Sequence, residues 1–98
     1  MHHLLMYEVG PVYVERRAAF RDEHLALARK AQARGELIMC GALAEPVDGE
    51  VFIFRSSTAA EQFAAADPYV LHGLVSHWRV RPWITVIGAE IGTAVPGH

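Results

Sequence analysis

Arg21-x-x-His24-Leu25 and Asp67-Pro68-Tyr69-Val70 are the segments of this chain whose side chains can do chemistry together. Phe20, His24, Leu27, Ala28 and Ala31 recur at helical spacing, which sets one imidazole on the apolar side of a long helix. The second segment sets a carboxylate directly before a proline, where a helix has to break. Desolvation weakens an imidazole's hold on its proton, and a neighbouring carboxylate strengthens it. A His24–Asp67 couple lining a small pocket can therefore exchange protons near neutral pH, with His24 as general acid/base and Asp67 orienting the ring. Arg21, one turn before His24, is a candidate anchor for a substrate carboxylate. Tyr69 and Tyr7 are candidate hydroxyl donors to the same pocket. Each residue has a structural alternative. His24 can be a buried neutral histidine, Asp67-Pro68 an N-cap with its first-turn proline, Arg21 half of a surface ion pair, and the tyrosines packed aromatics.

Other chemistries find little support. Cys40 is the single cysteine and lies in a strand-like run, so no intrachain disulfide is possible and the thiol is expected to be a small buried hydrophobe. The six histidines lack a His-x-x-x-His or a cysteine pair, so no metal site is expected. No phosphate-binding glycine loop and no Gly-x-Ser-x-Gly elbow occur, and no cofactor is expected. The net charge of -2 carries no footprint for nucleic acid. Arg16, Arg17 and Arg21 are interleaved with Glu15, Asp22 and Glu23, the pattern of a solvated helix face. The apolar run at Leu4-Leu5-Met6 has no cationic leader and is too short for a signal peptide or membrane span, so a cytoplasmic protein is expected.

The elements that must position these residues can be read from periodicity. Leu4 to Val9, bounded by Gly10-Pro11, reads as a first strand, and Val14 to Arg34 as one helix stopped by Gly35. Glu36 to Ala44 and Glu50 to Arg55 read as strands joined by Pro46-Val47-Asp48-Gly49, with Asp-Gly as the hairpin signal. Thr58-Ala59-Ala60-Glu61 has capping-box spacing and opens a helix ending near Ala66. Pro68 to Gly73 adds a helical turn. Val75 to Ile87 is a last strand, with Pro82 as a bend or edge position.

The expected order is βαββαβ, an α+β ferredoxin-like domain over residues 1–88 with a tail over 89–98. With helices on one face of the antiparallel sheet, Leu4, Met6, Phe52, Phe54, Trp78 and Val80 are expected on the other. A domain of 98 residues with two apolar sheet faces needs cover, which predicts a homodimer packed sheet to sheet.

Taken together, Arg21-Asp22-Glu23-His24-Leu25, Gly35-Glu36-Leu37, Gly41-Ala42-Leu43, Phe63-Ala64-Ala65-Ala66, Asp67-Pro68-Tyr69-Val70, Gly73 and Val80-Arg81-Pro82-Trp83 resemble the YCII-related family. The resemblance runs from Leu4 to Trp83. That family is similar to muconolactone isomerase in its dimeric α+β barrel form. The resemblance implies a ferredoxin-like protomer, a dimer, and an active site on His24 and Asp67. Family members include a dehydrochlorinase acting on a chlorinated hydroxyquinol. The chain departs from the family in its short hairpin, Ala44 to Glu50.

The leading expectation is a small cofactor-independent enzyme, a lyase, isomerase or dehydrochlorinase acting on a small cyclic or aromatic acid. The alternative is a non-catalytic small-molecule-binding or accessory module in which the His–Asp pair is structural. A cofactor-free oxygenase of the same barrel type is a third reading.

Overall fold

The computed structural model describes residues 1–89 of the chain. Its elements are β1 (His2–Val9), α1 (Tyr13–Arg16), a 3-10 turn (Arg17–Ala19), α2 (Arg21–Ala33), β2 (Leu37–Leu43), β3 (Gly49–Phe54), α3 (Ser57–Ala66), α4 (Pro68–Leu71) and β4 (Val75–Trp83). The strands form one antiparallel sheet in the order β2-β3-β1-β4, with the helices on one face. This is the α+β ferredoxin-like architecture read from the element order. The expected tail over 89–98 lies, apart from Ala89, outside the described residues. Among the described residues, no helix is long and apolar enough to cross a membrane.

Alternation along the strands decides what the helices cover. Leu5 and Tyr7 of β1 stand in register with Phe52 and Glu50 of β3, and with Val80 and Trp78 of β4. Leu5, Tyr7, Phe52 and Phe54 are buried beneath Ala28, Ala31, Ala60, Phe63 and Ala64 of the two long helices. Small alanines on those helices let them sit close against large rings on the sheet. Register therefore corrects one expectation. Phe52, Phe54, Trp78 and Val80 belong to the helix-covered face, and only Leu4 and Met6 of that set lie on the open one. There they are joined by Val51 and Ile53, also half-buried, and by the exposed Met39, Leu43 and Trp83. A shift of register between Leu37 and Met39 allows Leu37 and Cys40 to share the helix side of β2.

The expected helix from Val14 to Arg34 is broken. A 3-10 turn separates α1 from α2, and Asp22 and Glu23 fall in the first turn of α2, where the helix dipole favours acids. Tyr13 of α1 is buried while its neighbours Val12 and Val14 are exposed. At the other end, Gly35 adopts φ 77°, its N–H donates to the Gln32 carbonyl, and the Glu36 N–H donates to Ala31. That is a Schellman stop. Gly73 repeats it after α4, with the Leu74 N–H donating to the Tyr69 carbonyl.

Two local readings move by a few residues. The N-cap of α3 is Ser56, whose hydroxyl accepts from the Ala59 N–H at 3.1 Å, and not Thr58. The final strand ends at Trp83, not Ile87, and Pro82 lies on edge strand β4. The Asp48-Gly49 pair does not form a two-residue turn either. Gly49 is already in β3, paired with Leu43 and Glu8. A Cβ there would sit 2.7 Å from the Tyr7 carbonyl oxygen, so the glycine permits close strand approach. Gly49→Ala is predicted to destabilise the fold by about 1–3 kcal/mol in urea denaturation. An unchanged midpoint would show that the strands have room to part.

Candidate functional site

Asp67 ends α3 and begins α4, in the extended conformation (φ -70°, ψ 124°) that a residue before proline prefers. Its Oδ1 accepts from the Tyr69 N–H at 3.1 Å, which makes it the N-cap of α4. The rest of the carboxylate is also engaged. Tyr7 of β1 donates its hydroxyl to Oδ2 at 2.7 Å, and Nδ1 of His24 lies 2.9 Å from both oxygens. Asp67 is 0% exposed, and these partners satisfy a carboxylate that would otherwise be prohibitively expensive to bury.

His24 lies in the first half of α2 on the buried stripe it shares with Ala28 and Ala31, and is 4% exposed. Its ring stacks on Tyr69 at 4.0 Å with 12° between the planes. Phe52 and Phe63 present edges from the core. The second ring nitrogen, Nε2, lies 3.4 Å from Oε2 of Glu50. Glu50 Oε1 accepts a hydrogen bond from the Tyr13 hydroxyl. Five side chains thus form one buried row, Tyr13–Glu50–His24–Asp67–Tyr7, reaching from α1 across β3, α2 and the α3–α4 junction to β1.

Of the residues singled out in the sequence, His24, Asp67 and Tyr7 are in direct hydrogen-bonded contact. Tyr69 contributes its ring face and its backbone N–H. Arg21 is exposed in the first turn of α2, at a cleft of about 190 Å³ that Tyr13, Arg17, His24, Cys40, Glu50 and Tyr69 also line. Tyr7 does not line that cleft, because its hydroxyl lies beneath it on Asp67. Cys40, expected to be buried, is exposed on edge strand β2. Packing around its thiol, then the charges of Glu50 and Asp67, push its pKa up, the opposite of activation.

Glu50, Tyr13 and Arg17 are the site residues that pattern reading passed over. Glu50 shares the parity of Phe52 and Phe54, so a correct assignment of their face would have placed a carboxylate in the core. Tyr13 lies before the helix start read from the periodicity. Arg17 has the surroundings of a solvated face and is half-buried all the same. Among the described residues, no group of three His, Cys, Asp or Glu side chains is arranged to hold a metal ion.

The electrostatics follow from geometry. Burial pulls the His24 pKa down, but hydrogen bonds and charges from Asp67 and Glu50 overcome it and raise the value to about 9. Burial first, then the Asp67 charge, lifts the Tyr7 phenol far above its ordinary range. Burial, then the hydrogen bond to Glu50, does the same to Tyr13. Both phenols therefore remain neutral donors. Tyr69 is raised by burial and the two carboxylates, with Arg21 and Arg17 pulling the other way.

The His24 shift has a sign for stability. The unfolded chain's histidine titrates near 6.5 and the folded one at about 9, so folding tightens its hold on the proton. The resulting stabilisation is complete below pH 6.5 and is lost as pH rises through about 9. Thermal unfolding is predicted to show Tm falling across that window in the native protein and a flatter profile in His24→Gln. Parallel profiles for the two proteins would contradict the shift.

The sequence model of a family described as the YCII-related domain matches residues 1–84. An uncharacterized protein of Haemophilus influenzae is 29% identical, covering 85% of this chain and 96% of that protein. Among solved structures, 5-chloro-2-hydroxyhydroquinone dehydrochlorinase from Burkholderia phenoliruptrix AC1100, in complex with 2,5-dihydroxybenzoquinone, superposes with a TM-score of 0.70. That likeness covers 85% of this chain and 93% of the other at 20% sequence identity, and it shows the shared fold.

Proposed function

This chain belongs to the YCII-related domain family, and from that premise we propose that it is a small cofactor-independent enzyme of the lyase or isomerase type, dehydrochlorination included. The substrate class is a small cyclic or aromatic acid. The observation that carries this reading is a single imidazole with a buried carboxylate at each ring nitrogen, facing a cleft of about 190 Å³. A cavity of about 150 Å³ holds a benzene-sized ring, so the cleft suits one ring with small substituents. Arg17 and Arg21 at its edge supply the fork that recognises a carboxylate or another oxyanion.

In this reading His24 is the proton-transfer group, Asp67 fixes its ring through Nδ1, and Tyr7 supports Asp67 from below. Tyr69 holds the ring plane by stacking, and Arg21 anchors the substrate. Elimination of HX takes a proton from one atom and releases X⁻ from another with no net change of oxidation state. Isomerisation moves one proton between two atoms. Either needs a group that both gives and takes protons, and no electron carrier. The structural neighbour is a dehydrochlorinase in complex with a single-ring quinone, which makes 5-chloro-2-hydroxyhydroquinone the first probe.

Chloride release from that probe, alongside a panel of small aromatic acids and lactones, tests the reading. His24→Gln and Asp67→Asn are each predicted to lower kcat/KM by about 10²–10⁴-fold while retaining the fold by circular dichroism. Full activity in either variant would leave the couple as a structural pair within a binding module.

The same reading pairs two copies through the open sheet face, where Leu4, Met6, Val51 and Ile53 are half-buried and Met39, Leu43 and Trp83 are exposed. Such a patch calls for a partner surface. Light scattering at micromolar concentration is predicted to give twice the chain mass of 10.8 kDa. A monomer mass would contradict the pairing.

A further inference from the structure

Glu50 takes no part in the His–Asp couple read from the sequence, yet it is 5% exposed and stands in the helix-covered layer opposite Tyr7. Both its oxygens are occupied: Oε1 accepts from the Tyr13 hydroxyl and Oε2 faces His24 Nε2 at 3.4 Å. Across the ring, Nδ1 meets both Asp67 oxygens at 2.9 Å. A neutral imidazole carries one N–H and one lone pair. Either tautomer would turn that lone pair toward a carboxylate oxygen. Only the doubly protonated ring offers a hydrogen to each side.

We propose that Glu50 is a positioning residue of this site: with Asp67 it clamps His24 as an imidazolium, so that the resting ring acts first as the acid and becomes the base that takes a proton back only after it has given its own to the substrate. The proposal rests on the reading of the site as a proton-transfer couple and deepens it by fixing the couple's resting state. The other groups around the ring agree with it. Tyr7 from β1 and Tyr13 from α1 are neutral donors that hold the two carboxylates in place. Tyr69 from α4 covers one ring face with an aromatic surface, which favours a cation. Cys40 from β2 carries a neutral thiol. Arg17 from the 3-10 turn and Arg21 from α2 oppose the ring's charge, but they line the open cleft, where water screens them, whereas both carboxylates touch the ring from buried positions.

Nitrogen–proton correlation spectra of the His24 ring in the intact isotope-labelled chain test this, with His24→Gln identifying the resonance. The expected result is a ring protonated on both nitrogens at about pH 7.5 that loses a proton near pH 9. Glu50→Gln, which keeps the shape and can still accept from Tyr13, is expected to lower the ring's proton affinity by about tenfold or more. Glu50→Asp, which keeps the charge, is expected to restore part of that loss. A neutral ring in the native chain at about pH 7.5, or an unchanged midpoint in Glu50→Gln, would overturn the clamp. The native measurement decides by itself if the variant does not fold. Because the readout is protonation and not turnover, a chain inactive on every compound tested but carrying the doubly protonated ring would contradict the enzyme reading and support the clamp.

Discussion

A carboxylate sealed from water must be surrounded by donors, and Asp67 is the place where this fold meets that demand. Its partners come from three separate elements: a tyrosine from the first strand, a histidine from the long helix, and the backbone of the short helix that follows it. None of these could move far without leaving a buried charge unpaired, an error worth several kcal/mol in general (about 3–5). The site and the scaffold are therefore not separable. The contacts that hold the imidazole also fix α2 and the α3–α4 junction against the sheet.

The rest of the site is arranged around that anchor. Fixing Nδ1 on Asp67 aims Nε2 at β3, where Glu50 sits on the same face as Phe52. Tyr69 covers one face of the ring, and Phe52 and Phe63 flank it from the core. The open side is the cleft with its two arginines. In the clamped state we propose, the cationic ring, the two carboxylates and the two guanidinium groups leave a slight positive excess, the field that the proposed small anionic substrate calls for.

Much of this was legible in the chain itself. Asp67-Pro68 announced both a helix break and a cap, and the spacing of Phe20, His24, Leu27, Ala28 and Ala31 placed the imidazole on the inward stripe. Element order alone led to the ferredoxin-like sheet. What escaped was the parity of β3. Period-two alternation says which residues share a face but not which face it is, and choosing wrongly for Phe52 and Phe54 hid the carboxylate two residues earlier. The break after α1 escaped for a related reason. Helical spacing persists across a 3-10 turn, and nothing local to Tyr13 shows that its hydroxyl has a partner on a distant strand. Asp48-Gly49 misled because a glycine needed for close strand approach looks the same in sequence as one needed for a turn. Each miss is a long-range contact overriding a local signal.

A double-mutant cycle between His24 and Asp67, read by urea denaturation of the native chain, His24→Phe, Asp67→Asn and the double variant, tests the central contact most directly. The predicted coupling is about 1–3 kcal/mol, as for residues joined in one buried network. Additive effects of the two substitutions, within about 0.5 kcal/mol, would contradict the account, because they would mean that the imidazole and the carboxylate do not depend on each other.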